Sequence, residues 1–381
     1  MMRIAMIGQK GIPATYGGIE RHVDEIARRL VQRGISVDVF CRLYYTPPGS
    51  EYHHIGLLRR PSIHTKHLDT ATHVTWATLE SMCRHYDVVH FHALGPALFS
   101  SLPRLTGSKT VVTVHGLDWQ REKWGRFASW VLRRCEGPAA HFPNRTIVVS
   151  KTLREHFRAA HGIEVSYIPN GTLLPQPRPP RKLASLGLEP GKYVLFVGRL
   201  VPEKGVHFLC EAFSKIPTDM KLALVGGLSF SQDYVSLLKR YESDRIRLLD
   251  YVFGEALEEL WSNAYCVVQP STMEGLSIAL LEALSYGRCV LVSDIPENME
   301  VAEECAVSFK SRDVEDLRTK LEFLINHPEE VERYGDRARA HIAQHYSWDT
   351  VAESTAQLYE ELSGKQRSPH PPGDTAGGNG P

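Results

Sequence analysis

Two glutamates eight residues apart, Glu274 and Glu282 in the run EGLSIALLE, follow the apolar, strand-like stretch CVVQP. Eight residues is a little over two turns of α-helix. With a helix starting near Ser277, Glu274 lies in the loop before it and Glu282 about two turns inside, so the carboxylates can reach different parts of one elongated ligand. The amides of Leu276, Ser277 and Ile278 then point out of the positive helix end, where a phosphate or a hydroxyl is stabilised. A glutamate pair by itself more often marks a solvated helix face. The segment VGRLVPEKG, residues 197–205, shifts that balance. It places Arg199 and Lys204 in a loop after a strand, where a planar guanidinium and a compact ammonium can neutralise a diphosphate.

Other chemistries lose support. A G-x-G occurs only at Gly378–Gly380, and G-x-x-x-x-G-K-[ST] is absent, so the main signatures of dinucleotide binding and P-loop hydrolysis are missing. The seven cysteines (41, 83, 135, 210, 266, 289 and 305) include no C-x-x-C and fit neither a disulfide framework nor a zinc ribbon. They favour a reducing cytosol. His64/His67 and His341/His345 lack the companion ligands of a closed zinc site and read as surface groups. Lys plus Arg and Asp plus Glu are both 44, a formal charge of 44 − 44 = 0, which disfavours electrostatic binding to nucleic acid. The N-terminal apolar stretch is shorter than the ~7–15 residues of a signal peptide. It reads as a first strand, and no uninterrupted apolar run of ~18 residues marks a membrane span.

These groups need elements to hold them, and a length of 381 residues favours two domains at ~100–200 residues each. Strand-like Arg3–Ile7 leads through a glycine-rich turn to a helix over Ile19–Arg33. Val37–Cys41, Val88–Phe91, Thr110–Val114 and Ile147–Val149 are further strands, interleaved with helices over Ala93–Leu105, Gln120–Arg134 and Lys151–Ala160. The proline-rich run 171–190 reads as a linker. Beyond it strands over Tyr193–Val197, Leu222–Val225, Arg245–Leu248, Cys266–Gln269 and Cys289–Ser293 alternate with helices. Such alternation implies parallel, doubly wound sheets. The expected organisation is an N-terminal domain over 1–170, a second domain over 191–345, a closing helix over 348–362 that packs back on the first domain, and a disordered tail over 364–381.

In this order and placement, GIPATYGGIERHV (11–23), TVHGLD (113–118), IVVSKTL (147–153), IPNG (168–171), VGRLVPEKG and the E-x7-E element resemble retaining glycosyltransferases of family 4 with the GT-B fold. The likeness covers nearly all of residues 1–362. GQKGIPATYGG is similar to a bacterial subgroup associated with rhamnosyl and other polysaccharide transferases. The resemblance implies an α/β protein of two Rossmann-like, doubly wound domains facing a central cleft. It assigns Arg199 and Lys204 to the donor diphosphate, Glu282 to the ribose hydroxyls and Glu274 to the transferred sugar. Gly275, Leu276, Ser277 and Ile278 join them around the donor. Gly17 and Gly18 would let backbone approach the phosphates, with Tyr16 and Glu20 as lining candidates.

His115 ends the strand TVVTVH, and the resemblance places it beside the transferred sugar as a hydrogen-bonding group. His22, on the first helical turn, is an acceptor candidate or a solvated position. From VVHFHA, His90 and His92 are expected on opposite faces, with His92 towards the cleft and His90 in ordinary packing. Asp-x-Asp does not occur, so the metal–diphosphate clamp of the other major glycosyltransferase architecture is missing and metal independence is expected. No cofactor is expected beyond the nucleotide-sugar substrate.

The stretch LDWQREKWGRFASWVLRRCE mixes aromatic and basic residues. Its aromatics at core spacing favour a core-facing amphipathic helix, and the competing reading is a peripheral grip on a membrane or lipid-linked acceptor. The resulting expectation is a cytoplasmic transferase, in contact with the inner face of the cell membrane on the competing reading of that stretch. It moves a sugar from a nucleotide-diphosphate donor to a saccharide or lipid-linked hydroxyl. The alternatives are a GT-B epimerase or hydrolase of nucleotide sugars and a non-catalytic sugar-nucleotide-binding scaffold.

Overall fold

A computed structural model describes residues 1–65, 68–121, 124–227 and 232–366. His67, Lys123, Gly378–Gly380 and the part of the expected tail beyond residue 366 lie outside the described residues. The first part of the chain runs β1 (Arg3–Ile7), α1 (Gly18–Gln32), β2 (Ser36–Arg42), β3 (Glu51–Tyr52), β4 (Ile55–Arg60), α2 (Leu68–Arg84) and β5 (Val88–His92). It continues with α3 (Leu94–Ala97), β6 (Lys109–Val114), α4 (Arg126–Arg134), α5 (Glu136–His141), β7 (Arg145–Val148), α6 (Lys151–His161) and β8 (Ser166–Tyr167). Then come β9 (Tyr193–Val197), α7 (Val206–Ser214), β10 (Lys221–Val225), α8 (Gln232–Lys239), β11 (Ile246–Leu249), α9 (Gly254–Asn263) and β12 (Cys266–Gln269). The chain closes with α10 (Ile278–Ser285), β13 (Cys289–Ser293), α11 (Pro296–Ala302), β14 (Val307–Phe309), α12 (Val314–Asn326), α13 (Pro328–His345) and α14 (Trp348–Ser363).

Two parallel sheets carry the fold. The second has the order β11-β10-β9-β12-β13-β14. Its strand pairs are parallel, and the order reverses between β9 and β12. That is the doubly wound arrangement whose ligand site lies at the carboxyl ends of the two strands flanking the reversal. Helices on both faces make these strands continuously apolar rather than alternating. All five residues of β13 are buried, and Phe196, Leu224, Val268 and Leu291 pack in one cluster with Leu209 and Phe213 of α7 and Leu317 and Leu321 of α12. The first sheet has the order β3-β4-β2-β1-β5-β6-β7-β8, reversing between β1 and β5, with β3 antiparallel to β4. The α/β class with Rossmann-like sheets is therefore as the residues imply.

The chain divides into two compact units. One holds Met1–Thr113, Gly137–Ile147 and the chain from Ala352; the other holds Val114–Glu136 and Val148–Val351. These divisions differ from an expected boundary at residue 170. Within the expected linker, Leu183 and Leu188 are buried, a 3-10 turn spans Leu183–Leu186, and the Lys182 amide donates to Glu259 of α9 at 2.6 Å. Apolar leucines thus tie the end of a proline-rich run to the second unit. The expected helix over Ala93–Leu105 is also interrupted, since α3 ends at Ala97 and a separate 3-10 turn runs Leu102–Thr106 with a proline near its start. The pattern did not reveal β4 or α2. The latter exposes Trp76 and Leu79 and so lacks a clean apolar stripe.

His90 and His92 do not point to opposite faces. They are two residues apart in a strand, where alternation returns the side chain to the same face, and their ring centroids lie 4.2 Å apart. Both are buried. His90 Nδ1 lies 2.6 Å from the Tyr359 hydroxyl of α14 and Nε2 lies 2.7 Å from the Thr113 hydroxyl.

Burial, with a smaller contribution from His22, pushes the His90 imidazole down to about 3. A lowered pKa means fewer protons bound in the folded state, so the stability contribution is full above the ordinary value of ~6.5 and is lost as pH falls towards 3. His90→Asn is expected to flatten the acid-side fall in melting temperature below pH ~6.5 relative to the wild type, read by thermal unfolding at stepped pH. Gly205 has φ +65°, and a Cβ there would lie 2.0 Å from the Pro270 carbonyl oxygen. Gly205→Ala is expected to cost about 2 kcal/mol in a denaturant titration.

Candidate active site

In the second unit, β9 ends at Val197, and the chain turns through Gly198 and Arg199 into a 3-10 turn over Pro202–Lys204. Gly205, in the left-handed region, then redirects the chain into α7. This loop meets the one after β12. The Thr272 N–H donates to the Glu203 carbonyl at 2.9 Å, and Gly205 approaches Pro270 too closely for a side chain.

That backbone meeting brings Lys204 to Glu274. The Lys204 ammonium pairs with Glu274 Oε1, and the same oxygen accepts from the Ser271 hydroxyl at 2.7 Å. The Ser271 carbonyl accepts from the Ser293 hydroxyl at the end of β13. Asn298 of α11 donates to Ser293 Oγ at 3.0 Å. A chain of hydrogen bonds therefore fixes Glu274 from three successive strand-end segments. Ser271, Ser293 and Asn298 were not singled out from sequence. The available signal was the polar run SDIPEN directly after an apolar strand.

Ser277 is the N-cap of α10, its hydroxyl accepting from the Leu280 amide at 3.3 Å, and the helix begins at Ile278. Side-chain capping fixes the start that the sequence implies. Glu274 lies in the preceding loop and Glu282 in the second turn, half-buried. Asn170 Nδ2 donates to the Leu276 carbonyl at 2.9 Å. A Cβ on Gly275 would lie 1.8 Å from the His115 carbonyl, so the backbone after TVVTVH runs directly against the loop carrying Glu274.

A small cavity of about 30 Å³ gathers Arg199, Lys204, Glu274 and Gly275 with Gly116 and Arg121. Four of the expected donor-site residues are thus neighbours. Arg121, bridged to Asp118 at 3.2 Å, stands in the sequence only within the aromatic-basic stretch.

The first unit has its own glycine loop, between β1 and α1. Gly17 caps the helix at φ +105°, and a Cβ there would lie 1.9 Å from Glu20 Oε2. Glu20 is buried and accepts from the Lys10 amide at 3.0 Å, so its carboxylate braces the loop rather than lining an open surface. The Tyr16 amide and carbonyl both bond the Tyr45 hydroxyl, and the Lys10 ammonium lies 4.3 Å from the Tyr16 ring centre. Gly18 is exposed at the first residue of α1. His22 is buried, not solvated, with its ring 5.7 Å from that of His92. His92 is fully buried, which removes it from an exposed wall.

The aromatic-basic stretch corrects the core-facing expectation. No residue of α4 is buried; Phe127 is 77% and Trp130 55% exposed. Their rings stack at 6.2 Å, and Arg134 lies over Trp130. The helix starts only at Arg126, after Gly125.

Among known proteins, residues 16–172 match the Glycosyltransferase Family 4 model and residues 181–341 the Glycosyl transferases group 1 model. The chain is 28% identical to an alpha-maltose-1-phosphate synthase of Mycobacterium tuberculosis, over 95% of this chain and all of the relative. It resembles the structure of a sucrose-phosphate synthase from Thermosynechococcus elongatus with a TM-score of 0.81 at 22% identity, covering 95% of this chain and 99% of that one. It also resembles Anabaena HepE in complex with UDP and glucose, with a TM-score of 0.79 at 21% identity, covering 95% and 100%. With a family 4 domain followed by a group 1 domain on two Rossmann-like sheets, the chain is a glycosyltransferase of the GT-B type.

Proposed function

We propose that this glycosyltransferase moves a hexosyl or rhamnosyl unit from a nucleotide-diphosphate sugar to a hydroxyl of a saccharide or lipid-linked acceptor, with retention of configuration. The observation that carries the reading is the Lys204–Glu274 pair beside Arg199, at the strand-order reversal of the second sheet. A departing nucleoside diphosphate accumulates negative charge, and fixed cations stabilise that state more than the ground state. Lys204 and Arg199 supply the cations without a metal ion. Glu274 takes hydroxyls of the transferred sugar, Glu282 takes the ribose hydroxyls, and the α10 N-terminus faces the phosphates. His115 hydrogen-bonds the sugar or acceptor.

In the proposed step the acceptor oxygen bonds to the anomeric carbon on the face from which the diphosphate leaves. The anomeric carbon–phosphate oxygen bond breaks, and the leaving oxygen takes the acceptor's proton. Glu274 is tied to Lys204 and Ser271, which supports a positioning role over that of a covalent nucleophile.

The Anabaena structure holds UDP and glucose, which supports a nucleotide-sugar donor. The bacterial surface-polysaccharide or glycolipid role rests on the rhamnosyl-subgroup resemblance. The alpha-maltose-1-phosphate synthase relative favours a second reading, a transferase of storage-sugar synthesis acting on a sugar phosphate. For the first reading, exposed Phe127 and Trp130 beside Arg133 and Arg134 suit peripheral contact with an anionic membrane.

Arg199→Ala and Lys204→Ala are each expected to lower kcat/KM at least ~100-fold in protein that remains folded, measured by product chromatography over UDP-, GDP-, ADP- and dTDP-sugars. Near-wild-type turnover in both variants would reject their phosphate role. Product on an acceptor supports transfer; free sugar alone supports a hydrolase, and tight donor binding without turnover a scaffold. In a separate experiment, Phe127→Ser/Trp130→Ser is expected to abolish co-sedimentation with phosphatidylglycerol vesicles. Equal sedimentation of the variant and wild type would remove α4 from the membrane reading.

A further inference from the structure

Beside the ion pair, the second unit holds a larger cavity of about 310 Å³. Ligand sites commonly measure ~300–1,000 Å³, so this one suits a single ring rather than a polymer. One wall is Glu203, the residue before Lys204. The two side chains serve different sites. Lys204 is consumed by Glu274, whereas Glu203 is 4% exposed and, among the described residues, neither of its carboxylate oxygens has a hydrogen-bond partner. Glu203 lines both this cavity and the small one shared by Arg199, Lys204 and Glu274.

A buried carboxylate without donors is costly, and a ligand that brings donors recovers that cost. The rest of the wall narrows the ligand's chemistry. Gln120 and Thr272 offer mixed donors and acceptors, and Met273 and Pro296 give an apolar surface. Glu297 adds a second acid, whose carboxyl burial pushes up, with Glu274 and Glu300 adding to the effect. Two acids outweigh the one base on the wall, Arg312, and so disfavour an anion. Neither acid belongs, among the described residues, to a group of three ligating side chains whose ligand atoms lie within 4.8 Å of one another. A neutral ring with adjacent hydroxyls and apolar C–H faces fits all of these surfaces.

We infer that this cavity is a subsite for one neutral pyranose ring of the acceptor, with the buried Glu203 carboxylate turning into the cavity to accept hydrogen bonds from two adjacent ring hydroxyls. The inference rests on the transferase reading for the word acceptor; binding of the ring requires no turnover. Because Glu203 borders both cavities, a ring held here lies next to the pocket of Arg199, Lys204 and Glu274. Glu203 is then a specificity-determining residue that selects an acceptor with an adjacent pair of hydroxyls.

The test is saturation-transfer NMR on the full chain with methyl α-glucopyranoside, methyl α-mannopyranoside and methyl α-rhamnopyranoside, with and without UDP. At least one glycoside is expected to bind the wild type. Glu203→Gln should weaken it roughly tenfold or more without lowering the melting temperature. If Glu203→Gln does not fold, Thr272→Val and Glu297→Gln test the same cavity from its other walls and are expected to weaken the same glycoside. Failure of all three glycosides to bind the wild type, or equal binding by the folded variants, overturns the subsite. Glycoside binding that depends on Glu203 in a protein that neither binds UDP nor transfers sugar would retain the subsite and refute the transferase reading.

Discussion

The contact on which the second unit's chemistry depends is between two backbones. At the reversal of strand order, the loops leaving β9 and β12 come together with almost no side chain between them. Gly205 lies against the Pro270 carbonyl, and Gly275 of the β12 loop lies against the carbonyl of His115, which follows β6. The Thr272–Glu203 peptide hydrogen bond spans the first junction. Lys204 can meet Glu274 only because the main chains are already this close. A larger residue at Gly205 would separate these loops before any charged group was altered.

Pairing the ammonium with a carboxylate has two consequences. It lowers the cost of holding both charges at 13% and 11% side-chain exposure, and it fixes their geometry before a ligand arrives. Ser271, Ser293 and Asn298 extend that fixation to β13 and α11. The first unit applies the same device to its glycine loop. Glu20 and Asp24 accept from the Lys10 and Ala14 amides, and the Tyr45 hydroxyl receives the amides of Thr15 and Tyr16. In each unit a loop without regular structure is held by side chains of neighbouring elements, which suits positioning of a ligand by rigid supports.

Chemistry away from these loops is of another kind. The stacked Phe127 and Trp130 of α4 expose apolar surface next to arginines. Such surface has no role in a buried core. Its meaning depends on what covers it, whereas the loop sites depend on what enters them.

The chain's local order determined much of this. Alternating apolar runs specify the strands and helices of two doubly wound sheets because burial on both faces demands continuous apolar strands. The capping serine at 277 specifies where α10 begins and hence which side of that start each glutamate occupies. VGRLVPEKG specifies a charged turn after a strand. Tertiary structure decided which charges meet. Lys204 and Glu274 are 70 residues apart, and no spacing rule relates them. It also decided that the Glu203 carboxylate is buried without a partner among the described residues while adjacent Lys204 is paired, that His22 is buried rather than solvated, that Glu20 braces a loop rather than lining a surface, and that α4 turns its aromatics outward. These are properties of what packs against a side chain, and residues distant in sequence supply that packing.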